Sequence, residues 1–114
     1  MSEESCLFCK IIAGEISGDF VHQDDQCVVI RDINPQAPMH VLVIPRQHLE
    51  SLDDASQKEE GLLGHLLRIG ARIANLQDHD SYRTVINTGS GAGQSVFHLH
   101  VHVLAGRGMT WPPG

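Results

Sequence analysis

The chain has 114 residues, 41% hydrophobic and 19% charged, which is enough for one core and too little for separate cofactor and substrate domains, so a single domain over residues 1–114 is expected. Eight Lys and Arg against 14 Asp and Glu give a net charge of −6 with no basic run, which excludes a phosphate-neutralising surface for DNA or RNA but not one small phosphate held by backbone N–H groups and imidazoles. The start Met1–Ser5 has no basic or apolar signal character and no apolar stretch nears the roughly 20 residues of a membrane span, so the chain reads as a soluble cytoplasmic protein with no membrane partner.

Residues 6–13, Cys-Leu-Phe-Cys-Lys-Ile-Ile-Ala, place apolar groups at helical spacing before Gly14 and predict a short amphipathic helix presenting Phe8, Ile11 and Ile12 inward or toward a pocket. Strands are predicted over residues 20–23, 27–32 and 40–45, the first two joined by an Asp24-Asp25-Gln26 turn. Between the second and third, Asn34-Pro35-Gln36-Ala37-Pro38 must be an ordered loop, since two prolines remove donors and fix the backbone.

Ser56 and Glu59 have capping-box spacing, and Leu62, Leu63, Leu66, Leu67, Ile69, Ile73, Ala74 and Leu76 then recur as one helical face, predicting the main helix over residues 57–77. Two further strands, residues 82–87 and 97–104, flank a loop rich in glycine and hydroxyls at residues 88–95. The tail from Gly106 to Gly114 has no period and is expected to lie across a surface.

In Phe97-His98-Leu99-His100-Val101-His102-Val103-Leu104, strand alternation puts His98, His100 and His102 on one face, roughly 6–7 Å apart, and aliphatic residues on the other. Two functional readings follow. A metal bound by all three rings is disfavoured because this spacing spreads the outer two. Nucleophilic catalysis fits better, with a neutral His100 attacking phosphorus and a neighbour donating to the phosphate.

Other residues carry weaker signals. Asp32 offers two acceptor oxygens to a ribose, or caps the turn before the proline loop. Gly93, Gln94 and Ser95 could bring backbone N–H groups close to a phosphate. The Cys6-x-x-Cys9 pair is a redox motif, half a zinc site or two buried small residues, and the odd count with Cys27 does not resemble a disulfide framework. Cys27, among Val28, Val29 and Ile30, reads as core, while His22, His40, His65 and His79 show no convergent partner and read as structural or solvent-facing.

The His-x-His-x-His run followed by two apolar residues resembles the signature of the histidine triad family. It is accompanied by Arg31-Asp32-Ile33-Asn34-Pro35-Gln36-Ala37-Pro38, Val43-Ile44-Pro45-Arg46-Gln47-His48 and Gly93-Gln94-Ser95-Val96-Phe97-His98, and the similarity runs from Cys6 to the Trp-Pro-Pro-Gly end, most like the zinc-bearing members of the nucleotide-binding branch. The resemblance implies an α+β fold with a five-stranded antiparallel sheet, one long and one short helix, and a sheet continued across a homodimer. It also implies a purine nucleotide of AMP or GMP type in each subunit.

By the same resemblance His100 is the nucleophile, His102 bonds phosphate oxygens, Ser95 contacts the leaving group, and Asn87 helps hold the α-phosphate. Asp32 grips the ribose, with Phe8, Ile11, Ile30 and Ile33 around the base, and structural zinc is held by Cys6, Cys9, His48 and His98. The expected activity is hydrolysis of a purine nucleoside phosphoramidate through a nucleotidyl-histidine. The alternatives are a dinucleoside polyphosphate hydrolase, and a nucleotide-binding interaction protein without catalysis.

Overall fold

Val, Ile and Leu dominate the strand Met39–Pro45 (β3), every residue of which is buried, so its sequence lacks the polar alternation of a half-exposed strand. In a computed structural model, which describes residues 3–114, β3 is the central strand of an antiparallel sheet. Its companions are Phe20–Gln23 (β1), Cys27–Arg31 (β2), Tyr82–Val85 (β4) and Val101–Ala105 (β5), in the order β1-β2-β3-β5-β4. With Leu7–Ile12 (α1) and Glu60–Leu76 (α2), this is the expected α+β fold of five antiparallel strands with one short and one long helix. Among the described residues no helix is long and apolar enough to cross a membrane.

The sheet separates two core layers. Under α2, Leu66, Ile73 and Ala74 pack against Cys27, Val29, Val41, Val43, Leu99, Val101 and Val103. Under α1, Phe8 and Ile11 pack against Val28, Ile30, Leu42 and Ile44. The two layers follow from period-two alternation along β2 and β3.

The capping box forms as expected, with the Ser56 N–H donating to Glu59 Oε1 at 2.8 Å, but it closes a 3-10 turn over Gln57–Glu59 and the α-helix starts at Glu60. Leu67 and Leu76 are 46% and 66% exposed and do not belong to the buried face. Leu67 is turned about 100° from Leu66 around the helix axis.

Five strand ends also differ from expectation, two of them by one added residue, β3 starting at Met39 and β5 ending at Ala105. Strand β2 stops at Arg31 because Asp32 turns the chain, its Oδ1 accepting from the Asn34 N–H at 2.9 Å. Strand β5 starts at Val101 rather than residue 97. Its register pairs Val101 with Val43, so Leu99 would face Pro45, which has no N–H to give the Leu99 carbonyl and whose own carbonyl is taken by the His98 ring, and the Leu99 N–H is donated to the Leu49 carbonyl at 2.7 Å. Strand β4 stops at Val85, opposite His102; in this register Ile86 faces Val101, the first residue of β5, and only residue 87 runs past the start of the partner strand.

Candidate active site

His98 and His100 thus lie just ahead of β5, and His102 lies within it. Alternation nevertheless survives across the strand start. Leu99, Val101 and Val103 enter the α2-side core, while the His100 and His102 rings share the α1 side with centroids 5.0 Å apart. Phe8, on α1, meets the His100 ring edge to face at 5.0 Å and limits its rotation.

A cavity of about 290 Å³ opens over these two rings. Phe8, Ile11, Ile30 and Ile33 line its apolar side, and Asp32, Ser95, His100 and His102 bring polar groups to it. Ile33 is fully exposed at its rim, an apolar side chain that a bound group would cover. Leu7, Arg31, Leu42 and Val96 complete the lining.

Hydrogen bonds set which ring nitrogens carry protons. The His100 Nδ1–H donates to the His98 carbonyl at 2.7 Å, so its Nε2 bears the lone pair. The Gln36 N–H donates to His40 Nδ1 at 3.0 Å, which puts the proton of His40 on Nε2. That nitrogen lies 2.9 Å from His102 Nδ1 and 3.4 Å from Asp32 Oδ2. His102 therefore accepts at Nδ1 and carries N–H at Nε2. One imidazole offers an electron pair and its neighbour a donor.

Burial keeps these rings neutral. It lowers the His102 pKa from 6.5 to about 4, helped by His100 and His40, whose positive forms would repel a charged neighbour. Burial also lowers His100 and His40, partly opposed by the Asp32 charge and, for His100, by its bond to the His98 carbonyl.

His98 belongs to a different constellation. Its Nε2–H donates to the Pro45 carbonyl at 2.8 Å, leaving Nδ1 bare toward Cys6 Sγ at 3.3 Å and Cys9 Sγ at 3.5 Å. His48 Nδ1 stands 3.1 Å from His98 Nδ1 and 3.3 Å from Cys9 Sγ, while its buried Nε2 has no hydrogen-bond partner among the described residues. Burial, and then Cys6, pushes the Cys9 thiol up to about 12.

The chemistry of this donor set fits a cation. The separations approach the edges of about 3.3–3.8 Å expected for a tetrahedral site with two sulfurs and two imidazole nitrogens. The bond from His98 to Pro45 is the outer hydrogen bond that orients a metal-binding imidazole. Cys6 also caps α1, its sulfur accepting from the Cys9 N–H at 3.4 Å, so the helix start and the donor cluster are built from the same residue.

The residues expected around a nucleotide are only partly gathered by the cavity. Asn87, Gly93 and Gln94 are absent from its lining. Gln94 is buried and occupied with the loop itself: its Oε1 accepts from the Gly89 N–H at 2.9 Å and its Nε2 donates to the Glu50 carbonyl at 2.7 Å. Gly93 has φ +94°, a conformation that needs glycine, and sits beside Asn87. Asp32 caps the turn before the proline loop and also lines the cavity.

Sequence reasoning missed His40, and with it His22 and His65, each of which has a partner. His22 and His65 both bring Nε2 within 2.8 Å of Asp24 Oδ2. His40 shares the face of Leu42 two residues on, but its approach to a ring 62 residues later depends on strand register, which alternation does not reveal.

Comparison with known proteins places this geometry. Residues 5–110 match a family model described as the scavenger mRNA decapping enzyme C-terminal binding domain. The whole chain is 50% identical to the whole of an uncharacterized HIT-like protein of Synechococcus elongatus. A crystal structure of a HIT family hydrolase from Legionella pneumophila superposes with a TM-score of 0.93 at 44% identity, covering 96% of this chain and 100% of that one. A zinc-bound histidine triad protein from Mycobacterium smegmatis superposes at 0.81 with 32% identity, over 93% of this chain and 78% of that one. The rings before and within β5, the cavity above them and these matches together establish that the chain belongs to the histidine triad (HIT) family of hydrolases.

Proposed function

We propose that this protein hydrolyses purine nucleoside phosphoramidates, releasing a nucleoside monophosphate and an amine. The observation that carries the reading is the 2.7 Å bond from His100 Nδ1 to the His98 carbonyl, which leaves Nε2 as an unprotonated nucleophile on the cavity wall with Ser95 and His102.

In the first step the His100 Nε2 lone pair forms a bond to the α-phosphorus and the P–N bond breaks. The leaving nitrogen takes a proton that the Ser95 hydroxyl relays from solvent and departs as the amine. The His102 Nε2–H donates to a phosphoryl oxygen as negative charge accumulates there. Water then attacks the same phosphorus, the P–His100 bond breaks, and neutral His100 returns with one proton lost to solvent. Asp32 Oδ2 accepts from the ribose hydroxyls, and Phe8, Ile11, Ile30 and Ile33 enclose the base.

Cys6, Cys9, His48 and His98 would hold zinc. With four protein ligands the ion would be structural, and its ligand His98 would fix the backbone beside His100. A second copy pairing along the β4 edge would continue the sheet into a homodimer. The three free cysteines suit a reducing, cytoplasmic compartment.

His100→Asn, assayed on an adenosine 5′-phosphoramidate, is expected to lose turnover while retaining AMP binding. Turnover equal to the parent protein would end this mechanism. Dinucleoside polyphosphates, the substrates of the alternative hydrolase reading, are the comparison. Faster cleavage of P–O–P than of P–N would replace the substrate class and leave the role of His100 standing.

A further inference from the structure

A second cluster of metal-type donors lies on the opposite side of the sheet from the Cys6 group. His22, at the end of β1, and His65, on α2, each bring Nε2 within 2.8 Å of Asp24 Oδ2. The buried Cys27, first residue of β2, directs its Sγ to the same oxygen at 3.5 Å. The N–H groups of Gln26 and Cys27 hold the other oxygen, Oδ1, at 2.8 Å each. Donor atoms of His22, Asp24 and Cys27 all lie within 4.8 Å of one another, and the His22 and Asp24 side chains are 27% and 23% exposed, so the cluster can be reached from solvent.

An irregularity in β1 assembles it. Phe20 pairs with Ile30 but His22 pairs with Val29, so Val21 is an extra residue in the strand. Without that bulge, two-residue alternation would leave His22 on the face of Phe20, toward α1. With it, His22 falls on the Val29 side, which faces α2, Cys27 and His65.

We propose that His22 Nε2, Asp24 Oδ2 and Cys27 Sγ form a second metal site for a divalent cation of borderline softness, zinc above all. His65 remains bonded to Asp24 and orients it. One nitrogen, one oxygen and one sulfur suit such an ion better than the all-oxygen shells of Mg²⁺ or Ca²⁺. Without a cation the Cys27 thiol keeps its proton, since burial and the Asp24 charge push it up to about 12. Binding is balanced by release of that one proton to solvent and a shift of the His22 proton from Nε2 to Nδ1. Solvent completes the coordination shell. The ion would tie the two strands of the β1–β2 hairpin together beside the His65 bond to α2, and it is independent of the nucleotide chemistry and of the Cys6 group.

Full-length protein, stripped of metal by a chelator, would be titrated with Co²⁺ alone and followed by its d–d and thiolate charge-transfer absorption. The parent chain is expected to take up one equivalent more than His22→Gln or Cys27→Ser, and His65→Gln to retain that equivalent with roughly 10–100-fold weaker affinity. Cys6→Ser should leave it intact. Equal stoichiometry in the parent chain and both ligand variants would overturn the site. A measurement needing no variant is anomalous diffraction from parent crystals soaked in Zn²⁺: a peak between His22 and Cys27 supports the proposal and its absence refutes it.

Discussion

His40 Nε2 and His102 Nδ1 lie 2.9 Å apart, diagonal neighbours on β3 and β5 whose registers pair His40 with Leu104 and His102 with Leu42. Because the Gln36 N–H holds the other nitrogen of His40, this bond dictates that His102 carries its proton on the remaining nitrogen. His40→Phe keeps the volume and removes the donor. It is expected to lower kcat about 2–10-fold, the worth of a neutral hydrogen bond of roughly 0.5–1.5 kcal/mol, with KM nearly unchanged. A KM effect with kcat intact would show that His40 shapes binding instead.

Acid should weaken the fold through His102. The folded ring titrates near 4 and the unfolded one near 6.5, so the unfolded chain takes up the proton first as pH falls. Stability is therefore complete above about 6.5 and is lost progressively between there and about 4, by at most about 3 kcal/mol from this residue. Thermal melts across that window should show a shallower acid limb for His102→Gln than for the parent chain.

Metal removal should cost stability rather than chemistry at the phosphate. With free zinc at about a thousand times the dissociation constant, linkage gives about 4 kcal/mol, or a rise in melting midpoint on the order of 10–20 °C. Calorimetry of chelated and zinc-loaded protein measures this. An unchanged midpoint in both Cys9→Ser and chelated protein would show that the Cys6 cluster holds no ion.

The contact between α2 and β5 has no spare room at Gly70, where an added Cβ would come within 2.9 Å of Val103 Cγ2. Gly70→Ala gains helix propensity yet should destabilise the protein by about 1–3 kcal/mol, because overpacking outweighs that gain. Denaturant unfolding distinguishes the two effects by sign.

What the sequence disclosed and what it withheld divide along a physical line. Local patterns carried the helices, the Ser56–Glu59 box and the shared face of the triad rings, since spacing along one segment determines all of them. The late start of β5 was hidden because it depends on a proline in another strand and on Leu49. His40 and His22 were misjudged for related reasons, one needing the register of β3 against β5 and the other a bulge that reverses a face. Gln94 read as a phosphate contact because its neighbours are glycine and serine. Only the folded loop reveals that its N–H is donated to the Gly89 carbonyl and its side-chain amide is used by Gly89, Glu50 and Val96.

The backbone bearing His100 stands just outside the β5 ladder and is moored at two points to the far end of β3, by the Leu99 N–H on Leu49 and by the His98 ring on Pro45. The aim of the reacting ring is thus inherited from the segment between Pro45 and Leu49 rather than from its own strand. Small displacements of that remote segment would be transmitted to the attacking nitrogen like the swing of a tiller, so residues that never meet the nucleotide can tune the trajectory of attack.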